Sequence, residues 1–439
     1  MRGPPQGPRD AARQRGRVVD GSALSVSPSQ GEPAPRVAAP RASDPPLSRL
    51  LRWAPLVLAI ALAARLLWTA LVPNATNFLD LHVYVDGAAR ITAGDLYAFR
   101  YATNTPEFPL PFTYPPFAAL VFFPLSALPF TLVALLWQVG IAAALYAVVR
   151  LCQRMLGAAS RVGSRREAML WTGVGLWTEP VRTTLDYGQV NVYLVLLVLV
   201  AASTSRWWLG GALVGIAAGI KLTPAITGLF FLARRRFGAA AFSAVVFFLT
   251  VGVSWLVIRD ETREYIGSYF GDADRIGPTG SVWNQSLFGA AHRFGLPENT
   301  ARIVWLVAVV LVCVLAWAAW RSLPRHDVLG TLLVVQILGL LVSPVSWSHH
   351  WVWVIPLLLW LLRGPFAAMP GARVLAAAWA VAVLVGVPWV LSFFQPTIWE
   401  VVEPAPLAWI ALVYVAGAVA VLAWMVWCGR ARRSLVSAP

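Results

Sequence analysis

Lysine is nearly absent from this chain of 439 residues: of 35 basic residues only Lys221 is a lysine, and the rest are arginines. Cysteine is almost as rare. Cys152, Cys313 and Cys428 stand in or beside different apolar runs, with no spacing that suits a disulfide framework or a zinc site, so redox chemistry lacks its usual carriers. Charged residues are scarce as well, at 13% against 58% hydrophobic, and the mean hydropathy of +0.67 excludes an ordinary soluble globular protein. A net charge of +15 points to nucleic acid in a soluble protein. Here the arginines lie in short clusters between apolar runs, as in cytoplasmic loops of membrane proteins, and nucleic acid is not expected as a partner.

What the chain has in abundance is apolar runs of about 20 residues, enough to cross roughly 30 Å of hydrocarbon as helices. They recur from Ala54 to Trp427, and helices, unlike open strands, satisfy their own backbone groups in lipid. Residues 1 to 52, rich in Pro, Gly, Ser, Ala and Arg, read as a disordered cytoplasmic tail with no signal-peptide core. Residues 53 to 429 form the membrane domain, and 430 to 439, opening on Arg430, Arg432 and Arg433, a second cytoplasmic tail.

Arg49 and Arg52 hold the start of the first span, 54 to 72, inside. The stretch 117 to 149, interrupted by Pro124 and Pro129, leads to a strongly basic connection, Arg150, Arg154, Arg161, Arg165 and Arg166. An odd number of crossings must separate that connection from the first outer loop, and one kinked or partly re-entrant crossing is the simplest. Runs near 168–182, 189–203, 208–222, 223–233 and 237–258 then alternate in direction, with Arg206 and Arg234 to Arg236 inside. A second outer loop covers 259 to 300, and runs near 301–320, 328–347, 350–362, 373–394 and 407–428 complete the chain. The expected architecture is an all-α polytopic bundle of roughly twelve transmembrane helices, multi-pass in the plasma membrane, with both termini cytoplasmic and a large first outer loop.

That loop, Phe78 to Pro116, organises the chain. Asp80, Tyr84 and Gly87 recur at spacings of four and three, so they share one face of a short helix, and Tyr114-Pro115-Pro116 stiffens the return to the bilayer. The parity of crossings also sends the polar residues that arginine clusters do not explain to the same outer face: Asp80, Tyr114, Arg182, Asp186, Gln189, Asn191, Lys221, Asn284, Gln285, Trp347, His349 and His350.

Each has a bland reading. A lone loop aspartate is ordinarily solvated or a helix cap, yet transfer of a sugar from a phosphate-activated donor needs one base and no acid, whereas a glycosidase needs two carboxylates. Lys221, in GIKLTP, either snorkels to the interface or pairs with a lipid-borne phosphate; unpaired at mid-bilayer it costs on the order of 3 kcal/mol. In SPVSWSHHWVW, residues 343 to 353, the tryptophans suit an interfacial belt. Adjacent His349 and His350 do not share a helix face, which disfavours a metal, but an imidazole there can donate to phosphate or to a sugar hydroxyl. Arg182 to Asn191, RTTLDYGQVN, and Trp283 to Ser286, WNQS, carry groups of the kind that read sugars, though either string alone is a weak signal.

In order, D-L-x-V-Y from Asp80, P-F-T-Y-P-P-F-A-A-L from Pro111, G-Q-V-N from Gly188, G-I-K-L-T-P from Gly219, N-Q-S from Asn284 and the His349/His350 string resemble the actinobacterial polyprenol-phosphate-mannose-dependent α-(1→2)-mannosyltransferases of glycosyltransferase family 87. The resemblance covers about residues 54 to 428; the N-terminal tail has no counterpart, and the residues around Asn284-Gln285-Ser286 differ from the family strings. It implies a GT-C-like membrane enzyme acting on the outer face. The implied donor is polyprenyl-phosphate mannose, the acceptor a mannosylated glycolipid or lipoglycan, and the product an α-(1→2) linkage formed with inversion in the presence of membrane lipids. Asp80 is then the base, with His349 and His350 in the donor site. Lys221 and Arg182 complete the expected donor-phosphate set, and Tyr84, Tyr114, Gln189, Asn191, Asn284, Gln285 and Trp347 the substrate-binding set, without cofactor or metal. Two alternatives stay open: another lipid-phosphate sugar such as arabinofuranose, and a transporter. Transporters, however, place ionisable groups near the midplane of repeated broken helices.

Overall fold

In the computed structural model the described residues are 51–72, 76–103, 105–106, 108–159, 161, 163–272, 275–394 and 405–437, so the expected tail lies outside them except for its last two residues. The chain opens with α1 (Ala54–Leu71), α2 (Leu79–Ala89), a minimal hairpin pairing Arg100–Tyr101 with Leu110–Pro111, and α3 (Pro116–Phe122). It continues through α4 (Phe130–Met155), α5 (Ser164–Gly175), α6 (Glu179–Tyr187), α7 (Asn191–Ser203), α8 (Trp207–Ile220), α9 (Thr227–Ala233), α10 (Phe237–Val257) and α11 (Arg259–Glu264). The remaining helices are α12 (Leu287–Arg293), α13 (Glu298–Ser322), α14 (Val328–Val342), α15 (Val354–Arg363), α16 (Ala372–Val385), α17 (Val387–Ser392), α18 (Ala405–Ile410) and α19 (Val413–Ser437).

Proline sets several of the breaks. The stretch 117 to 149 divides at Pro124 and Pro129 into α3, a 3-10 turn and α4, because a proline removes a helical donor and restrains the residue before it. Six helices among the described residues are long and apolar enough to cross a membrane, or seven if α6 and α7, bent by 118°, form one span. This differs from the expected dozen full crossings. The shorter apolar helices, such as α8 with 14 residues and α14 with 15, extend about 21–23 Å at 1.5 Å per residue, less than the hydrocarbon thickness.

Burial separates the two kinds. In α1 only Ala54, Ala61 and Arg65 are buried, and α13 exposes Ile303, Val307, Val310, Leu311 and Val314, so the long helices turn apolar faces outward, as lipid contact requires. The short α14, in contrast, is buried along nearly its whole length. Since lipid is as apolar as leucine, helix contacts depend on close packing rather than on removal from water. The approach of α8 to α10 illustrates it: a Cβ at Gly215 would stand 2.7 Å from the Ser243 carbonyl oxygen, a distance only glycine permits.

Candidate active site

Four chain segments bring the principal polar groups to a cavity of about 360 Å³, which the stretches around Tyr114 and from Tyr265 to Trp283 also line. The first is α2, which carries Asp80. Phe78 turns the chain onto this helix in a left-handed conformation (φ 48°) that a non-glycine residue seldom adopts, and its N–H donates to the Asp186 carbonyl at 2.9 Å. As the spacing implied, Asp80, Tyr84 and Gly87 fall in one helix.

The second segment is the bend between α6 and α7. Gly188, at φ 69°, lets the chain reverse there, and a Cβ on it would meet Leu81 Cβ at 2.5 Å, so the G-Q-V-N string begins with a residue the packing demands. Gln189 comes next. Tyr84 donates to its Oε1 at 2.9 Å, and its Nε2 donates to the Tyr114 hydroxyl at 3.2 Å. Tyr114 in turn donates to Asp80 Oδ1 at 3.4 Å. Burial raises the Asp80 carboxyl above the usual aspartate range, against the pull of the Lys221 charge and of hydrogen bonds from Gln189 and Tyr114.

Lys221 is the third element, in extended conformation immediately after α8. It is 8% exposed, and its ammonium donates to Gln189 Oε1 and to Asn191 Oδ1, both at 3.0 Å, while standing 5.6 Å from the centre of the Tyr114 ring. Among the described residues no carboxylate is within ion-pair distance of it, so neutral dipoles hold the buried cation directly, with the Asp80 carboxyl acting on it from farther off across the cavity. Ser343 to His350 is the fourth segment. His349 Nε2 and His350 Nδ1 are buried without hydrogen-bond partners, and both rings line the cavity. The His349 carbonyl accepts from Asn191 Nδ2 at 2.9 Å and from Thr184 Oγ1 at 3.4 Å.

Of the residues singled out from sequence, Asp80, Tyr114, Gln189, Lys221, Trp347, His349 and His350 line this one cavity. Tyr84 supports it from behind, fully buried. Asn191 lines a second, adjoining cavity of about 280 Å³ that shares Leu222, Thr223, Ser343 and His350 with the first. Three others are placed elsewhere. Arg182 stacks its guanidinium on Trp389, 4.4 Å from the ring centre. Asn284 gives its amide N–H groups to the Thr279 and Pro344 carbonyls and accepts from Ser346 N–H, and Gln285 donates to the Val282 and Ala411 carbonyls. Both amides tie loops together rather than face the cavity.

Two lining residues were not singled out individually from the sequence, although Tyr187 lies within the RTTLDYGQVN string. Tyr187 meets the His349 ring edge-on with centres 5.8 Å apart, and Arg275 lies over Tyr269, 3.8 Å from its ring centre. For Tyr187 the signal was its position next to Gly188-Gln189; for Arg275 the sequence offered none.

A buried carboxylate, a buried ammonium and two imidazoles, each with an unpartnered nitrogen, thus surround one cavity within a helical membrane bundle. The chain matches the profile of Glycosyltransferase family 87 over residues 112–344. It is 56% identical over 384 residues, 87% of this chain and 93% of the relative, to the polyprenol-phosphate-mannose-dependent alpha-(1-2)-phosphatidylinositol pentamannoside mannosyltransferase of Mycolicibacterium smegmatis. The Mycobacterium tuberculosis protein of the same description is 54% identical over 88% of this chain and 90% of its own length. A phosphatidylinositol mannoside mannosyltransferase of M. smegmatis is 32% identical over 67% of this chain and 72% of its own. No solved structure matches. The chain belongs to glycosyltransferase family 87 and is an enzyme, a membrane glycosyltransferase of the mannosyltransferase kind.

Proposed function

We propose that this enzyme moves mannose from polyprenyl-phosphate mannose to a 2-hydroxyl of a phosphatidylinositol mannoside, with phosphatidylinositol pentamannoside as the acceptor suggested by the relatives' descriptions. The observation that carries the reading is the convergence of Asp80, Lys221, His349 and His350 on one cavity. Asp80 accepts the proton of the attacking hydroxyl while its oxygen bonds to the anomeric carbon from the face opposite the phosphate. The carbon–oxygen bond to phosphate breaks, and a β-linked donor yields an α linkage with inversion. The departing polyprenyl phosphate gains one negative charge. Lys221 and the two imidazoles are arranged to meet it, in a partly dehydrated site where such contacts count most.

The arginine clusters support an arrangement with both termini cytoplasmic and the site at the outer face. Incubation of purified protein with polyprenyl-phosphate mannose and phosphatidylinositol pentamannoside tests the whole assignment. The expected product is one mannose larger, with an α-(1→2) linkage and release of polyprenyl phosphate. Preference for a polyprenyl-phosphate arabinofuranose donor would replace the donor assignment, and no transfer from any lipid phosphate would overturn the reading.

A further inference from the structure

Glu179 opens α6, carries no sequence signal, and is fully buried with 0% exposure. Its Oε1 accepts from Ser348 Oγ at 2.6 Å and from Thr183 Oγ1 at 3.0 Å, and its Oε2 accepts from the Tyr414 hydroxyl at 2.8 Å. Among the described residues no cation pairs with it at contact distance, and the nearby Arg182 charge acts on it without a hydrogen bond. A carboxylate removed from water and given only hydroxyl partners is costly to keep, whereas apolar packing would join α6 to α19 equally well.

The bond to Ser348 gives the carboxylate a different use, because Ser348 immediately precedes His349 and His350. Both imidazoles have a buried nitrogen with no partner, so nothing fixes the rings through their own polar atoms. What fixes them is the chain that bears them. Ser348 N–H donates to the Trp283 carbonyl at 2.8 Å, the His349 carbonyl is held by Asn191, and Ser348 Oγ makes the short bond to Glu179.

We propose that Glu179 is a positioning residue for the transfer reaction: acting through Ser348, it sets His349 and His350 against the departing phosphate without itself touching substrate. This rests on the proposed donor-site role of the histidines. At its other end α6 carries Asp186, whose backbone carbonyl receives the Phe78 N–H at the entry to the Asp80 helix. One nine-residue helix thus braces both sides of the site.

The test is steady-state transfer by full-length protein, varying polyprenyl-phosphate mannose and acceptor separately. Glu179→Ala and Ser348→Ala are each expected to lower kcat/KM for the donor about tenfold, the scale of one lost buried hydrogen bond, with the acceptor KM unchanged. The double variant should be no worse than either single one, because both remove the same connection. Glu179→Gln, which still accepts from Ser348, should recover most of the loss, and Tyr414→Phe, which leaves the Ser348 bond intact, should stay near wild type. If Glu179→Ala does not fold, Ser348→Ala against Tyr414→Phe decides the matter. Additive losses, wild-type donor kinetics in Ser348→Ala, or a loss confined to the acceptor KM would overturn the positioning role. Wild-type protein inactive with the lipid-phosphate donor would instead sink the function on which it rests.

Discussion

Replacing Asp80 by Asn is the sharpest perturbation of the proposed chemistry. The amide keeps the size of the carboxylate and can still accept the Tyr114 hydrogen bond, which spans 3.4 Å, so the network through Gln189 and Tyr84 has no reason to rearrange. What is lost is the proton acceptor. General-base contributions lie at about 10²–10⁴-fold, so kcat should fall by at least about 100-fold while the donor KM stays level or improves, a negative charge near the phosphate having been removed.

The structure also sets the pH signature. Burial holds the Asp80 carboxyl above 3.8, and the working form is the carboxylate, so wild-type turnover should decline on acidification at a higher pH than a solvated aspartate gives. That limb should vanish from the residual activity of the variant. The same shift has a sign for stability. A carboxyl whose folded pKa lies above its unfolded one holds its proton longer in the folded state, so its contribution falls as pH rises through that window and is unfavourable at neutral pH. Asp80→Asn should therefore melt no lower than wild type at pH 7. A radiolabelled transfer assay across pH, with thermal unfolding in the same detergent, measures both. Near-wild-type turnover in Asp80→Asn, or an acid limb that persists in it, would refute the assignment of the base.

Three further outcomes are expected. Lys221→Met removes a buried cation held only by Gln189 and Asn191; it should raise the donor KM about tenfold with little change in melting temperature, and an unchanged response to lipid-phosphate concentration would reduce Lys221 to an interface anchor. Arg65, 1% exposed in α1, pairs with Asp186; Arg65→Leu strands the carboxylate and should cost about 3–5 kcal/mol, whereas Arg65→Leu with Asp186→Leu should recover most of it, as unfolding in detergent would reveal. In a background lacking Cys152, Cys313 and Cys428, single cysteines at exposed Thr103 and Ser268 should react with an impermeant thiol reagent in intact cells, and one at exposed Arg165 only after permeabilisation. Labelling of Arg165→Cys from outside would scatter the proposed groups over both faces of the membrane.

Composition and local spacing were sufficient for much of this protein. Apolar runs punctuated by arginine clusters dictate a helical membrane protein whatever the packing, because backbone groups in lipid have few other partners. The spacing of Asp80, Tyr84 and Gly87 is a property of one helix, so it was legible in place. The lone lysine stood out because nothing about positive-inside topology explains a cation at the end of an apolar run.

Tertiary structure decided what each polar group does. Gln189 reaches Tyr84, 105 positions away, and Glu179 reaches Tyr414, 235 positions away, and no periodicity encodes such partners. Amide chemistry is equally ambiguous. An Asn or Gln that reads a sugar and one that closes a loop offer the same atoms, and only the fold shows Asn284 and Gln285 spending theirs on backbone carbonyls while Gln189 faces the cavity. Arg182 likewise lies on a tryptophan face, a use that its place in RTTLDYGQVN does not disclose. The number of full crossings belongs with these, since hydropathy measures how apolar a run is, while helix length and the 118° bend between α6 and α7 depend on what packs beside it.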